Sequence, residues 1–316
     1  MVRERTASLF AFTRAALLAL TVVACAPTLA PRGIQNDAPM LTDTYFLTRD
    51  GLQLPLRHWD AAHPKAVIIA LHGMSDYSRA FAMPAPWWAE QGITTIAYDQ
   101  RGFGGSPHAG TWAGSDAMRD DLADAVDAAR IKYPGIPVYA LGESMGGAVL
   151  LSSLASERPP RIEGAILVAP AVWSRSDMPL LYRVALWTAA HTVPGMRLSG
   201  SGLKIWASDN VEILRMNGRD PLFQKKANTG SVYGLVNLMD EARHAPAHIN
   251  SAPPVLFLYG GKDQVIPGKP TKAVVAELGD RAETHFYPKG YHMLFRDLHA
   301  ESRWRDVADW VLRSAP

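Results

Sequence analysis

One cysteine, Cys25, stands in 316 residues. A chain so poor in thiol holds no internal disulfide, offers no thiolate set for a metal, and lacks a cysteine nucleophile in its body. Excess charge is also scarce. The formal charge is +2, and Arg3, Arg5 and Arg14 against Glu4 account for all of it within the first 24 residues, so the remainder is formally neutral. A neutral body presents no electrostatic footprint for nucleic acid, and none is expected as a partner. No His-Glu-x-x-His or other metal-ligand spacing occurs, which leaves a metal mechanism without support. Carboxylates do not pair into a set suited to glycosidase chemistry, and neither internal repeats nor low-complexity tracts interrupt the chain. What remains is a body of 48% hydrophobic residues, long enough for a large core in one or two domains.

The head of the chain has its own character. Arg3, Arg5 and Arg14 precede the apolar run Ala15–Ala24, which has the length of a signal-peptide core and is too short to span a bilayer comfortably. Cys25 follows directly, in Val22-Val23-Ala24-Cys25, an arrangement that resembles a bacterial lipobox with Val22 where leucine is usual. The expectation is a signal peptide over 1–24, a lipidated and Pro/Ala/Gly-rich tether over 25–41, and a folded domain over 42–316. The protein would then be exported and membrane-anchored, facing the periplasm or the cell surface. An ordinary secretory signal cleaved after Ala24 or Ala26 is the alternative.

Along the body, buried strands alternate with helices. Asp50-Gly51 lies between two strand-like runs, a strong hairpin signal, and Pro55 suggests that one of the two runs lies at a sheet edge. Continuous apolar runs at 66–71, 93–98, 137–141, 166–169 and 254–259 are of buried parallel-strand type. Helical periodicity fills the intervals, which predicts an α/β fold with a mostly parallel, doubly wound sheet. From about 172 to about 249 the alternation stops. Amphipathic stretches with scattered tryptophan, tyrosine and methionine replace it, and they predict a helical cap inserted above the sheet. The loop Asp99-Gln-Arg-Gly-Phe-Gly-Gly-Ser106 is glycine-rich, but Pro107 stands where a dinucleotide fingerprint needs its last glycine. No cofactor is expected.

The candidate chemistry starts at Gly142-Glu143-Ser144-Met145-Gly146, a G-x-S-x-G run between an apolar strand and a small-residue helix start. A strand that turns sharply into a helix lifts the serine hydroxyl above the sheet, and the glycines let the turn close. A serine needs a base, and the base needs a partner that fixes its tautomer, in the chain order Ser, acid, His. Asp263 follows a buried strand and the pair Gly260-Gly261; His292 follows the last strand and precedes the terminal helix. Ser144, Asp263 and His292 are therefore the candidate catalytic set. Candidate oxyanion donors are the backbone N–H of Met145, after the serine, and of Met74, in the loop after the 66–71 strand. His72, just before that loop, is expected to shape it by structural hydrogen bonds.

These motifs, with His72-Gly73, Asp99-x-Arg101-Gly102-x-Gly104-x-Ser106 and Gly290-Tyr291-His292, resemble the α/β-hydrolases of the monoacylglycerol lipase, lysophospholipase and serine aminopeptidase-like group from about Asp43 onward. Two positions depart from the group's pattern. Asp76-Tyr77-Ser78 stands where Glu-His-Ser is common, and Glu143 where histidine is more frequent. The resemblance implies a cap-covered apolar pocket and hydrolysis of a small lipid ester carrying one fatty acyl chain. A serine aminopeptidase is one alternative and would need an acidic contact from Asp177, Asp209, Glu212, Asp220, Asp240 or Glu241 in the cap. A non-catalytic binding protein on the same fold is the other.

Overall fold

The computed structural model describes residues 27–36, 38–200, 202, 204–249 and 253–314. The stretch read as a signal peptide, 1–24, and Cys25 lie outside them.

The order of elements is β1 (Met40–Leu41), β2 (Tyr45–Leu47), β3 (Gln53–Trp59), β4 (Ala66–Leu71), α1 (Pro84–Glu90), β5 (Ile93–Tyr98), α2 (Ser115–Lys132), β6 (Val138–Glu143), α3 (Met145–Leu154) and β7 (Gly164–Val168). There follow α4 (Leu180–Thr192), β8 (Arg197–Ser199), α5 (Val211–Arg219), β9 (Lys226–Asn228) and α6 (Thr229–His244). The chain closes with β10 (Val255–Gly260), α7 (Gly268–Leu278), β11 (Ala282–Tyr287) and α8 (Glu301–Ser314). Nine strands form one sheet in the order β1-β2-β3-β5-β4-β6-β7-β10-β11. The first three pairings are antiparallel, from β1 through β3 to β5, and the rest are parallel.

Every residue of β4, β5, β6 and β10 is buried, because helices cover both faces of the parallel half. Val67, Ile69 and Leu71 point to one face and pack with Leu122, Val126 and Val149 from α2 and α3. Ala66, Ile68 and Ala70 point to the other and meet Trp88, Val307 and Trp310 from α1 and α8. This period-two division of one strand between two cores is what the doubly wound pattern demands.

The Asp50-Gly51 hairpin is present, with Gly51 at φ +85° and its N–H donating to Thr48 O at 2.9 Å. Pro55 does not mark an edge strand. Its strand, β3, is third in the sheet and changes neighbours at this residue: Pro55 faces Tyr45 of β2, and Leu56 begins the pairing with β5. A missing N–H is harmless at such a changeover, and the Pro55 carbonyl still accepts from Asp99 N at 2.8 Å.

In the segment read as a cap, α4 and α5 lie outermost, and β8 and β9 form a short antiparallel sheet of their own. The last helix of the segment, α6, behaves differently. Val236, Leu238, Met239 and Ala242 are buried with the α3 side of the main core.

The glycine-rich loop 99–106 has a structural task. Its Arg101, 5% exposed, donates to both carboxylate oxygens of Asp50 at 2.7 and 2.8 Å and to both of Asp121 at 2.6 and 2.7 Å. One guanidinium thereby joins the hairpin turn to α2. Replacing it leaves the buried Asp121 carboxylate without its cation and Asp50 without its fork. Arg101→Met is expected to lower unfolding free energy by about 3–5 kcal/mol, read as a shifted urea midpoint at unchanged slope.

Candidate active site

The serine turn is strained. Ser144 has φ +54° and ψ −114°, a region that non-glycine residues occupy only when the surroundings enforce it. The enforcement is visible. Ser144 N donates to Val168 O at 2.9 Å, and Ser144 O accepts from Ala148 N at 3.0 Å and Ala171 N at 2.9 Å. The flanking glycines are a steric requirement. A Cβ on Gly146 would lie 2.2 Å from Leu71 O, and one on Gly142 2.3 Å from Gly146 O. A Cβ on Gly73 would meet the Ser144 Cβ at 3.2 Å, so the loop after β4 passes directly over the serine.

Asp263 and His292 come together from two loops. Gly260 and Gly261 are needed for this approach, since Cβ atoms there would lie 2.4 Å from Tyr291 O and 2.8 Å from Pro288 O. Gly261 N donates to Tyr287 O and Lys262 N to Gly290 O, each at 2.8 Å, which stitches the acid loop to the histidine loop. The Asp263 side chain is fully buried. Its Oδ1 accepts from Val265 N at 2.7 Å and Ile266 N at 3.0 Å, and its Oδ2 lies 2.8 Å from His292 Nδ1. A carboxylate so bound fixes the ring and directs Nδ1 toward itself; Nε2 has no protein partner among the described residues.

Ser144 and His292 open on one cavity of about 540 Å³, whose walls include Trp173, Met178, Leu186, Leu235 and Val265. Met74 lines it beside Gly73, whereas the Met145 side chain is fully buried beneath. Among the described residues the backbone N–H groups of Met74 and Met145 donate to no acceptor. Two free N–H groups beside a serine, one of them at the start of α3, are suited to receive a developing oxyanion. His72 takes the structural part expected of it: its Nδ1 lies 2.8 Å from Gly73 O, and its Nε2 accepts from Gln100 N at 2.9 Å. Burial pushes its pKa down, in keeping with a neutral ring.

The six acidic cap residues considered for an amino-group contact do not line this cavity. Asp220 accepts from Tyr77 Oη at 2.7 Å and pairs with Arg79; Asp240 pairs with Arg175, Glu241 with Arg119, and Glu212 with Arg215. Asp177 faces Arg243, and Asp209 accepts from Leu298 N. The carboxylates that do reach the wall beside the serine are Asp76 and Glu143, both bound by Arg296. Sequence reading singled out the first two as unusual residues but missed Arg296. Its one signal was position, four residues after His292.

Cap and sheet meet at the loops of the site. Gln224 N donates to Ser75 O at 2.8 Å, and Met293 N to Ala207 O at 2.8 Å. Ser208 Oγ donates to Asp297 Oδ1 at 2.8 Å. The cap therefore holds both the loop carrying Met74 and the loop carrying His292.

Comparison with known proteins places this architecture. The family described as serine aminopeptidase, S33 (Hydrolase_4) matches residues 62–299. The human monoglyceride lipase is 26% identical over 289 residues, covering 89% of this chain and 94% of that protein. The phospholipase YtpA of Bacillus subtilis is 28% identical over 210 residues, covering 66% of this chain and 80% of its own. A soluble variant of the Saccharomyces cerevisiae monoglyceride lipase, solved in complex with a substrate analog, superposes with a TM-score of 0.74 at 18% identity, covering 92% of this chain and 100% of that one. At that identity the match speaks for the fold.

The strain at residue 144 is separable from its chemistry. Both Ser144→Gly and Ser144→Ala remove the hydroxyl, yet only glycine is at ease at positive φ. Ser144→Gly is expected to unfold at higher denaturant than Ser144→Ala, by about 1 kcal/mol in parallel melts.

Proposed function

The chain belongs to the serine aminopeptidase S33 family of hydrolases, and from that premise we propose that it cleaves carboxylic esters of a single fatty acyl chain, most suitably monoacylglycerol or lysophospholipid, through an acyl-enzyme. The observation that carries the reading is the buried Asp263–His292 pair, which opens with Ser144 onto a largely apolar cavity. Ser144 Oγ attacks the acyl carbonyl, while His292 Nε2 takes the serine proton. The carbonyl oxygen, now negative, is received by the N–H groups of Met74 and Met145. His292 returns the proton to the departing alcohol, and Asp263 keeps the ring oriented and supports its positive charge. Water then repeats the sequence on the acyl-serine. No metal or cofactor enters these steps.

An acyl chain suits the cavity's walls, each buried CH₂ contributing about 0.8 kcal/mol. The names of the two relatives, a monoglyceride lipase and a phospholipase, agree with such a substrate.

Lipidation at Cys25 would hold the enzyme beside that substrate. The described chain begins at Pro27, packed against Gly230 of α6, and Ala30 N donates to Trp112 O at 2.8 Å. Residues 27–36 of the stretch read as a tether thus lie against the body on the side of the cap, and Met40–Leu41 at its end belong to the sheet as β1, so the folded part begins earlier than residue 42. The cap's outer residues Leu180, Leu181, Val184 and Trp187 are exposed and apolar, as a bilayer-facing surface requires. Among the described residues no helix is long and apolar enough to cross a membrane.

Turnover of p-nitrophenyl acyl esters and of aminoacyl anilides tests the reaction. Esters of medium to long chains are expected to be cleaved, with loss of activity in Ser144→Ala and a fall in kcat of about 10³–10⁴ in Asp263→Asn. Preference for the anilides would establish the aminopeptidase, and wild-type activity no greater than that of Ser144→Ala on both classes would leave a binding protein. Labelled palmitate should enter the wild type and not Cys25→Ala; label in both would place acylation elsewhere.

A further inference from the structure

Beside the serine lies a buried trio of charges that the steps above do not use. Arg296 pairs through one guanidinium nitrogen with Asp76 Oδ2 and donates through the other to Glu143 Oε2 at 2.8 Å. All three residues are no more than 6% exposed, and all three line the cavity. Their places in the chain matter as much as their contacts. Asp76 stands two residues beyond Met74, Glu143 directly precedes Ser144, and Arg296 follows His292 by four residues. The segments carrying Met74, Ser144 and His292 therefore contribute one member of the trio each. The hydrogen-bonding is incomplete: Glu143 Oε1 and Arg296 Nε are buried without a partner. An arrangement chosen for stability alone would be cheaper as packed hydrocarbon.

The charges bear on the reaction because of where they sit. Attack on an acyl carbonyl places a negative charge at the N–H groups of Met74 and Met145, each two residues from one of the carboxylates, Met74 before Asp76 and Met145 after Glu143. Two uncompensated carboxylates there would oppose that charge and hold the proton on His292 too tightly. We infer that Arg296 is a positioning residue for the reaction proposed above, acting through charge: it offsets the Asp76 and Glu143 carboxylates that flank the oxyanion site and so keeps His292 able to release its proton. The inference rests on that hydrolase reading. The other titratable groups around these residues are Asp263 across the His292 ring, His72 with Asp99 behind it, and Asp297, which accepts from Tyr291 N at 2.8 Å and faces Asp209 and Arg303. None of these is altered by the changes below.

The test varies the trio's net charge, which is one negative with both carboxylates ionised; burial pushes the Glu143 carboxyl up, and the Arg296 charge opposes that. Arg296→Met makes it two, Glu143→Gln makes it zero, and the double variant restores one. The acid limb of the pH profile of kcat/KM follows deprotonation of His292 in the free enzyme. A more negative surround stabilises the imidazolium and moves that limb to higher pH. The limbs should therefore fall in the order Glu143→Gln, then wild type and the double variant together, then Arg296→Met, the extremes about one pH unit or more apart. Arg296→Met should also lose about 10²-fold in kcat, at little change in KM, and the double variant should recover at least tenfold. Arg296→Lys keeps the charge without the fork and should stay within tenfold of wild type. It serves as the readout if Arg296→Met does not fold. Limbs that do not follow net charge, a double variant no better than Arg296→Met, or an Arg296→Lys variant as impaired as a neutral one would overturn the inference. If the wild type neither cleaves esters nor takes a fluorophosphonate label at Ser144, the hydrolase reading fails first and this inference falls with it.

Discussion

The structure depends on one backbone conformation that its residue does not favour. Ser144 sits at positive φ because a strand must become a helix within a single residue, and everything near it is shaped to permit that. The glycines at 142 and 146 are excluded volume made explicit: backbone atoms of Leu71 and Gly146 occupy the space where side chains would begin. The hydrogen bonds of Ser144 N and O to Val168, Ala148 and Ala171 are the counterweight that keeps the turn from relaxing. Strain of this kind survives only in a rigid setting. Here the setting is five central strands, β5, β4, β6, β7 and β10, buried along their whole length, with a separate core on each face.

Much of this was legible in the residues. Uninterrupted apolar runs identify strands that are covered twice, and the Asp50-Gly51 pair identifies a hairpin, because both signals are local. Ser144, Asp263 and His292 were legible for another reason: each follows a recognisable strand, and glycines mark the loops that must close. Where reading went astray, the cause was a distant partner. Pro55 looked like an edge residue because the sequence does not show that β3 trades one neighbour for another at that point. The helix α6 sits in a stretch of mixed composition, and its burial beside α3 comes from packing across the fold. Arg296 reaches a partner 220 residues away, so no spacing could announce it.

The two unusual residues of the sequence, Asp76 and Glu143, gain a common explanation from that arginine. Alone, each would be a buried carboxylate beside the serine turn. Together with Arg296 they compose a unit in which the cost of burial is shared, and the unit joins the segments that carry Met74, Ser144 and His292. Arg101 performs the parallel task away from the site, joining Asp50 to Asp121. The fold thus uses the same device twice, a buried guanidinium between two carboxylates, once for architecture and once beside the serine turn.

The hydrogen bond from Gln224 N to Ser75 O, with the one from Tyr77 Oη to Asp220, has a consequence for how the molecule responds to an occupant of its cavity. The cap wall and the loop above the serine are not independent moving parts, since one holds the other. Whatever free energy an occupant of the cavity gains by ordering the cap is shared with that loop, and linkage makes the relation reciprocal. An occupant that reaches along the cap wall would thus bear on more than its own residence in the cavity: it would also bear on the loop whose Gly73 and Met74 stand beside Ser144.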